Sequence, residues 1–123
     1  MSWLYLGCLG GLRNDGLLYF KFGHTNNREE TIRRHKRTYG DFYNVQFIRL
    51  PVTERQACRA FELKLQDRYT DMGFRVVHSY GGMRRKELLA VNHAVPDDLL
   101  YGILRDVAEW GAEAEDDLRA WLE

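Results

Sequence analysis

The chain has 123 residues, 45% of them apolar, with 18 basic and 18 acidic side chains and a formal net charge of zero. That length suits one domain, and the apolar share is enough for a packed core. No apolar run reaches the roughly 18 residues a membrane span needs, so no membrane partner is expected. Only Cys8 and Cys58 occur. Two cysteines give neither a disulfide framework nor a zinc spacing, and they suit a reducing, intracellular compartment. The zero charge hides a split. Residues 1–93 carry a balance of +7 and residues 94–123 a balance of −7. A basic body suits a polyanionic partner, whereas solvated faces of opposite sign would need none.

The opening "MSWLYLGCLGG" lacks a basic n-region and reads as a first strand, Trp3 to Leu9, rather than a signal peptide. "GGLRNDG" is turn chemistry, and Leu17 to Phe22 is the returning strand, ended by Gly23. Asn26 or Asn27 caps a helix to about Thr38, with Glu29 and Glu30 in its first turn. "YGD" breaks it, and "VQFIRLPV" is a third strand stopped by Pro51. Thr53 and Gln56 resemble a capping box for a helix to about Asp71. Its apolar stripe is Ala57, Cys58, Phe61, Leu65, Tyr69 and Met72.

Phe74 to His78 and "ELLAV" are short strands around a loop, "SYGGMRRK". Pro96 opens a helix to Trp110, with Leu99, Leu100, Ile103, Leu104 and Val107 on its buried face. Gly111 breaks the pattern before an acidic helix from Glu113 to Leu122. The order predicts an α+β fold: a small, mainly antiparallel sheet flanked by helices. The domain covers residues 1–93, and an acidic helical extension, residues 94–123, packs on it. That extension either covers the sheet or folds over the basic face and screens it.

Four pieces then stand out together: "LYL" around Tyr5, "KFGHT" from Lys21 to Thr25, "IRRH" ending at His35, and "AFELKL" around Glu62. In this combination, over roughly residues 3–92, the chain resembles the GIY-YIG nuclease superfamily. Its second motif has the K-[IF]-G-x-T form of the branch common in large DNA viruses and phages. The resemblance implies a metal-dependent endonuclease that hydrolyses phosphodiester bonds of nucleic acid, DNA rather than RNA, with one divalent ion, Mg²⁺ or Mn²⁺. It implies that Tyr5 or Lys21 activates the attacking water, that His35 and an arginine bind the phosphate, and that Glu62 holds the metal. It also makes a viral source plausible, with the cytoplasm, the nucleus or a viral factory as the compartment.

One departure is clear. The family arginine lies four residues before the histidine, and here that place is Thr31, which has no fork of charged donors. Arg28, one turn earlier, is the favoured substitute, with Arg34, one turn later, as another. Arg33, Arg34, Lys36 and Arg37, with the second cluster Arg84, Arg85 and Lys86, are then backbone-positioning contacts. Tyr39, Phe42, Tyr43 and Tyr80 are candidates for base stacking, and Asn92 for the family's late asparagine.

Taken without the resemblance, each residue has a plainer reading. Tyr5 is a core tyrosine, Lys21 a surface lysine facing away from Phe20 and Phe22, and Glu62 half of an ion pair at the edge of a helix. Two rival functions follow: a GIY-YIG-fold module that binds nucleic acid without cutting it, or a protein-interaction or inhibitor module using the acidic segment. A chain this small leaves few base contacts, so sequence-specific cutting would call for a homodimer or a protein partner.

Overall fold

The computed structural model describes residues 1–10, 16–80 and 83–113. Their order is β1 (Trp3–Leu9), β2 (Leu17–Thr25), α1 (Arg28–Tyr39), β3 (Tyr43–Arg49), α2 (Arg55–Asp71), β4 (Arg75–Tyr80), β5 (Met83–Asn92) and α3 (Asp97–Glu113). The strands form one five-stranded sheet in the order β3-β1-β2-β5-β4, with every neighbouring pair antiparallel. This is the α+β architecture the sequence predicts. No described helix is long and apolar enough to cross a membrane. Cys8 and Cys58 are buried and unpaired.

Strand alternation sends successive side chains of β1 to opposite faces. Leu4, Leu6 and Cys8 join Phe20 and Phe22 of β2 in the main core, under Phe61, Leu65 and Tyr69 of α2 and Leu100, Leu104 and Val107 of α3. Each of the larger side chains, fully buried, contributes about 2 kcal/mol. The Tyr69 hydroxyl donates to the Leu100 carbonyl at 2.9 Å, and the Tyr101 hydroxyl donates to the Asn44 carbonyl at 2.6 Å. Helix α3 therefore shares the core and ties α2 to β3. On the other face Leu9, Phe42, Leu88 and Ala90 pack with Ile32 and Tyr39 of α1.

Several boundaries differ from the sequence reading. β2 does not end at Gly23 but continues to Thr25. α1 is capped by Asn27, whose side chain accepts from the Glu30 amide at 3.1 Å. No capping box forms at α2: Glu54 is its N-cap and makes no side-chain cap bond. Met72 lies past the last turn of α2 and Leu99 in the first turn of α3. They are 52% and 41% exposed, so neither joins the buried stripe. "MRRK" is strand, not loop, because β5 starts at Met83. α3 runs through Gly111 to Glu113. The acidic helix expected up to Leu122 falls outside the described residues beyond that point.

Gly7 marks a tight spot. Phe42 lies across it, so that an added Cβ would sit 2.5 Å from Phe42 Cε1 and 2.9 Å from Val45 Cγ2. The β1–β3 register shifts at the same place, between Leu6 and Cys8. Overpacking of this kind costs about 1–3 kcal/mol. Gly7→Ala is expected to lower urea-unfolding stability by that amount, and less once Phe42 is also truncated to Ala. Equal stability of Gly7→Ala and the parent would show that the ring moves aside freely.

Candidate functional site

The hairpin register fixes the start of the site. Tyr5 pairs with Gly23, and Gly7 with Lys21, so Tyr5 and Lys21 lie on one face of adjacent strands. That is the face on which α1 packs. His35 of α1 is 6% exposed, and its Nε2 lies 2.8 Å from the Tyr5 hydroxyl. Tyr5 stands edge-on to His35, Phe42 and Phe47, with ring centroids 5.7, 6.2 and 5.6 Å away. His35 itself meets Phe42 at 5.1 Å and Tyr39 at 5.7 Å. Such edge-to-face packing fixes both rings and leaves the hydroxyl and the imidazole nitrogen as the polar contact between them.

Glu62 arrives from α2 at the same point. A Cβ on Gly23 would lie 2.8 Å from the Tyr5 hydroxyl and 3.1 Å from Glu62 Oε1. Both oxygens thus crowd the place a side chain would take, and only glycine fits there. Tyr5, Lys21, His35 and Glu62 are 2%, 8%, 6% and 4% exposed. Burying four polar side chains together is costly unless each is paired. Lys21 Nζ donates to the Phe22 carbonyl at 3.1 Å. Glu62 Oε1 accepts from His24 Nδ1 at 3.1 Å, and its Oε2 is in ion-pair contact with the Arg59 guanidinium.

Burial pushes the His35 imidazole down to about 3, aided by the positive charges of Lys21 and Arg34. His35 is therefore neutral at physiological pH, and in its Nδ1–H tautomer Nε2 accepts from Tyr5.

Thr31 explains its own identity. It is 1% exposed, and its hydroxyl donates to Thr25 Oγ1 at 2.7 Å. Thr25 Oγ1 also accepts from the Asn27 amide at 3.0 Å and so helps start α1. A guanidinium has no room in that contact. Arg28 sits on the first residue of α1 with its guanidinium 4.5 Å from the centre of the Trp3 ring. Trp3 lies two residues before Tyr5, about 7 Å along the strand. Arg33 and Arg37 point away and share Glu30, at 3.1 and 3.9 Å. Lys36 is exposed on the same outer side of α1. Arg34, three residues after Thr31, is exposed.

Arg84, Arg85 and Lys86 belong to β5. Lys21 pairs with Leu88, so this part of β5 runs towards the Gly23 end of the sheet. Their side chains, like that of Tyr80, are outside the described residues. Asn92 pairs with Leu17 at the opposite end, where its side chain accepts from the Ala94 amide at 2.9 Å. It turns the chain into α3 and takes no part in the site. Phe42 is 1% exposed and belongs to the core, while Tyr43 is 39% exposed and donates to the Gly10 carbonyl at 2.9 Å.

Sequence reasoning passed over His24 and Arg59. His24 follows Gly23 directly, and alternation alone separates it from Lys21. Arg59 stands three residues before Glu62, a spacing that brings the two together on one helix face.

The donor set bears on metal. Among the described residues no three His, Cys, Asp or Glu side chains cluster. Glu62 offers one hard carboxylate beside the Tyr5 hydroxyl. That fits an ion such as Mg²⁺, which keeps its waters and takes one or two carboxylates plus phosphate oxygens. Compared with known proteins, the chain matches no family, no curated protein and no solved structure.

The neutral imidazole makes a pH prediction. His35 binds fewer protons folded, at about 3, than unfolded, at 6.5. Stability is unaffected above pH 6.5 and falls as pH drops from there towards 3, by up to about 1.4 kcal/mol per unit. His35→Gln, which keeps an acceptor for Tyr5, is expected to flatten that fall in urea titrations between pH 7 and 4. Identical slopes in the two proteins would show that His35 does not set them.

Proposed function

We propose that this protein is a GIY-YIG-like, metal-dependent endonuclease that hydrolyses phosphodiester bonds of nucleic acid, DNA before RNA. The observation that supports the reading is that Tyr5 of β1 and Glu62 of α2 both reach Gly23, with His35 bonded to Tyr5 and Lys21 on the same strand face. A core tyrosine, a surface lysine and a helix-edge glutamate have no structural reason to meet. A hydrolytic site gives them one.

In this reading the Tyr5 hydroxyl donates to His35 and its oxygen helps orient the attacking water, whose proton passes to a phosphate oxygen or to bulk water. His35 stays neutral and orients the hydroxyl rather than taking its proton outright. The buried Lys21 ammonium offsets the negative charge that gathers on the phosphate oxygens. Glu62 would hold a divalent ion. When bound, that ion supplies a positive centre for the non-bridging oxygens and the leaving oxygen. Arg28, held over Trp3 at the mouth of α1, is a cation that can reach the strand.

A second reading has one observation behind it. Thr31 is locked against Thr25 where the family's phosphate-binding arginine belongs. The same fold would then grip nucleic acid without cutting it.

Plasmid nicking with Mg²⁺ and Mn²⁺ separates the two. The parent is expected to nick, EDTA to stop it, and Glu62→Ala, purified identically, to lose at least about 100-fold. Gly23→Ala, whose Cβ fills the gap between Tyr5 and Glu62, is expected to lose a similar factor while staying folded. Nicking that survives Glu62→Ala would put the chemistry elsewhere. DNA binding without nicking would favour the non-cutting module. Neither binding nor nicking would point to the acidic segment and a protein partner.

A further inference from the structure

Beside the site lies a cleft of about 390 Å³, walled by the end of β2, by α1 and by the start of α2. Arg34 and Arg55 face it from the two helices, with His24, Thr25, Thr53 and Ser2 between them. Among the described residues no carboxylate lines it. The cations of α1 sort themselves accordingly. Arg33 and Arg37 are tied to Glu30, whereas Arg34 has no ion pair among the described residues, and neither does Arg55.

Two further features point the same way. Ser2 is 3% exposed, yet its hydroxyl has no hydrogen-bond partner among the described residues. α2, 17 residues long, begins here with no side chain capping its first amides. Unpaired guanidinium forks, a hydroxyl without a partner and free helix amides are the donors that an anion's oxygens accept from.

We propose that this cleft binds a phosphate of a nucleic-acid strand, with Arg34 and Arg55 as a two-arginine clamp. The assignment rests on the nuclease reading for its occupant and goes beyond it in the residues it names. His24 forms one wall of the cleft and donates to Glu62. A phosphate held here therefore lies one imidazole away from the Glu62 carboxylate. That is the place of a phosphate flanking the one hydrolysed, and Arg34 and Arg55 supply the grip that Thr31 cannot.

The test is an NMR titration of the full chain with a short oligothymidylate and, separately, with inorganic phosphate. It reads the Nε–Hε signals of Arg34 and Arg55 and the amides of Thr25, Asn26 and Thr53. The strand is expected to move these signals, and to bind at least about tenfold more tightly than inorganic phosphate. Arg34→Ala and Arg55→Ala are each expected to weaken strand binding about tenfold and to lower the salt slope by about one. Arg68→Ala, the same charge change in the last turn of α2, is expected to leave both unchanged.

Inorganic phosphate binding as tightly as the strand would overturn the nucleic-acid assignment and leave a free-phosphate site. Unmoved cleft signals, or an equal loss in Arg68→Ala, would overturn the clamp. Nicking is read independently through Glu62. A protein that nicks with unmoved cleft signals removes the clamp alone. One that binds the strand in the cleft and never nicks removes only the nuclease reading.

Discussion

The arrangement depends on an atom that is missing. At position 23 the strand passes between a tyrosine hydroxyl and a glutamate carboxylate that approach from different elements. Any side chain there would push one of them away. Because β2 continues through Gly23 to Thr25 instead of stopping, the ladder with β1 holds Tyr5 opposite Gly23, and α2 brings Glu62 to the same point. The same continuation carries Thr25 to the start of α1, where its hydroxyl receives Thr31 and the Asn27 amide. The helix phase that delivers His35 to Tyr5 follows from that contact.

The buried polar side chains answer one another. Lys21 donates to a backbone carbonyl, and Glu62 accepts from His24 through Oε1 and meets the Arg59 guanidinium through Oε2. His35 is kept uncharged by burial and by the cations around it. A core built only for stability would place leucine or phenylalanine at these positions, since a buried ion pair seldom improves on apolar packing. Arg59 also gives Glu62 a counter-charge, and its guanidinium, 38% exposed, stays in contact with solvent.

Much of the fold was legible because local signals agreed with the global one. The apolar run of β1 and the stripe of Ala57, Cys58, Phe61, Leu65 and Tyr69 each had one physical solution, and the cap of α1 was narrowed to Asn26 or Asn27. The failures came where tertiary packing overrode a local cue. Gly23 reads as a strand end until the neighbours that need its open space are known. Gly111 reads as a helix stop, yet α3 continues through it. "MRRK" reads as loop because its charges hide the pairing of β5 with β4. The candidate site was legible only as a combination of residues, since alternation alone left Lys21 facing solvent. The burial of Thr31, the engagement of Arg28 with Trp3 and the link from His24 to Glu62 depend on contacts across elements, which spacing along one element cannot reveal.

The sheet also separates charge. α1 lies against one face with five cations and two acids. α3, seated in the core of the opposite face, carries five acids and one arginine. The Tyr69 and Tyr101 hydroxyls pin α3 to its neighbours, so this separation is rigid. A molecule of zero net charge built this way is a permanent electric dipole. Near a polyanion it feels little net pull at long range but a torque at short range, which turns α1 inwards and α3 outwards before any contact forms. Salt that screens the polyanion would weaken that alignment even though the protein as a whole is neutral.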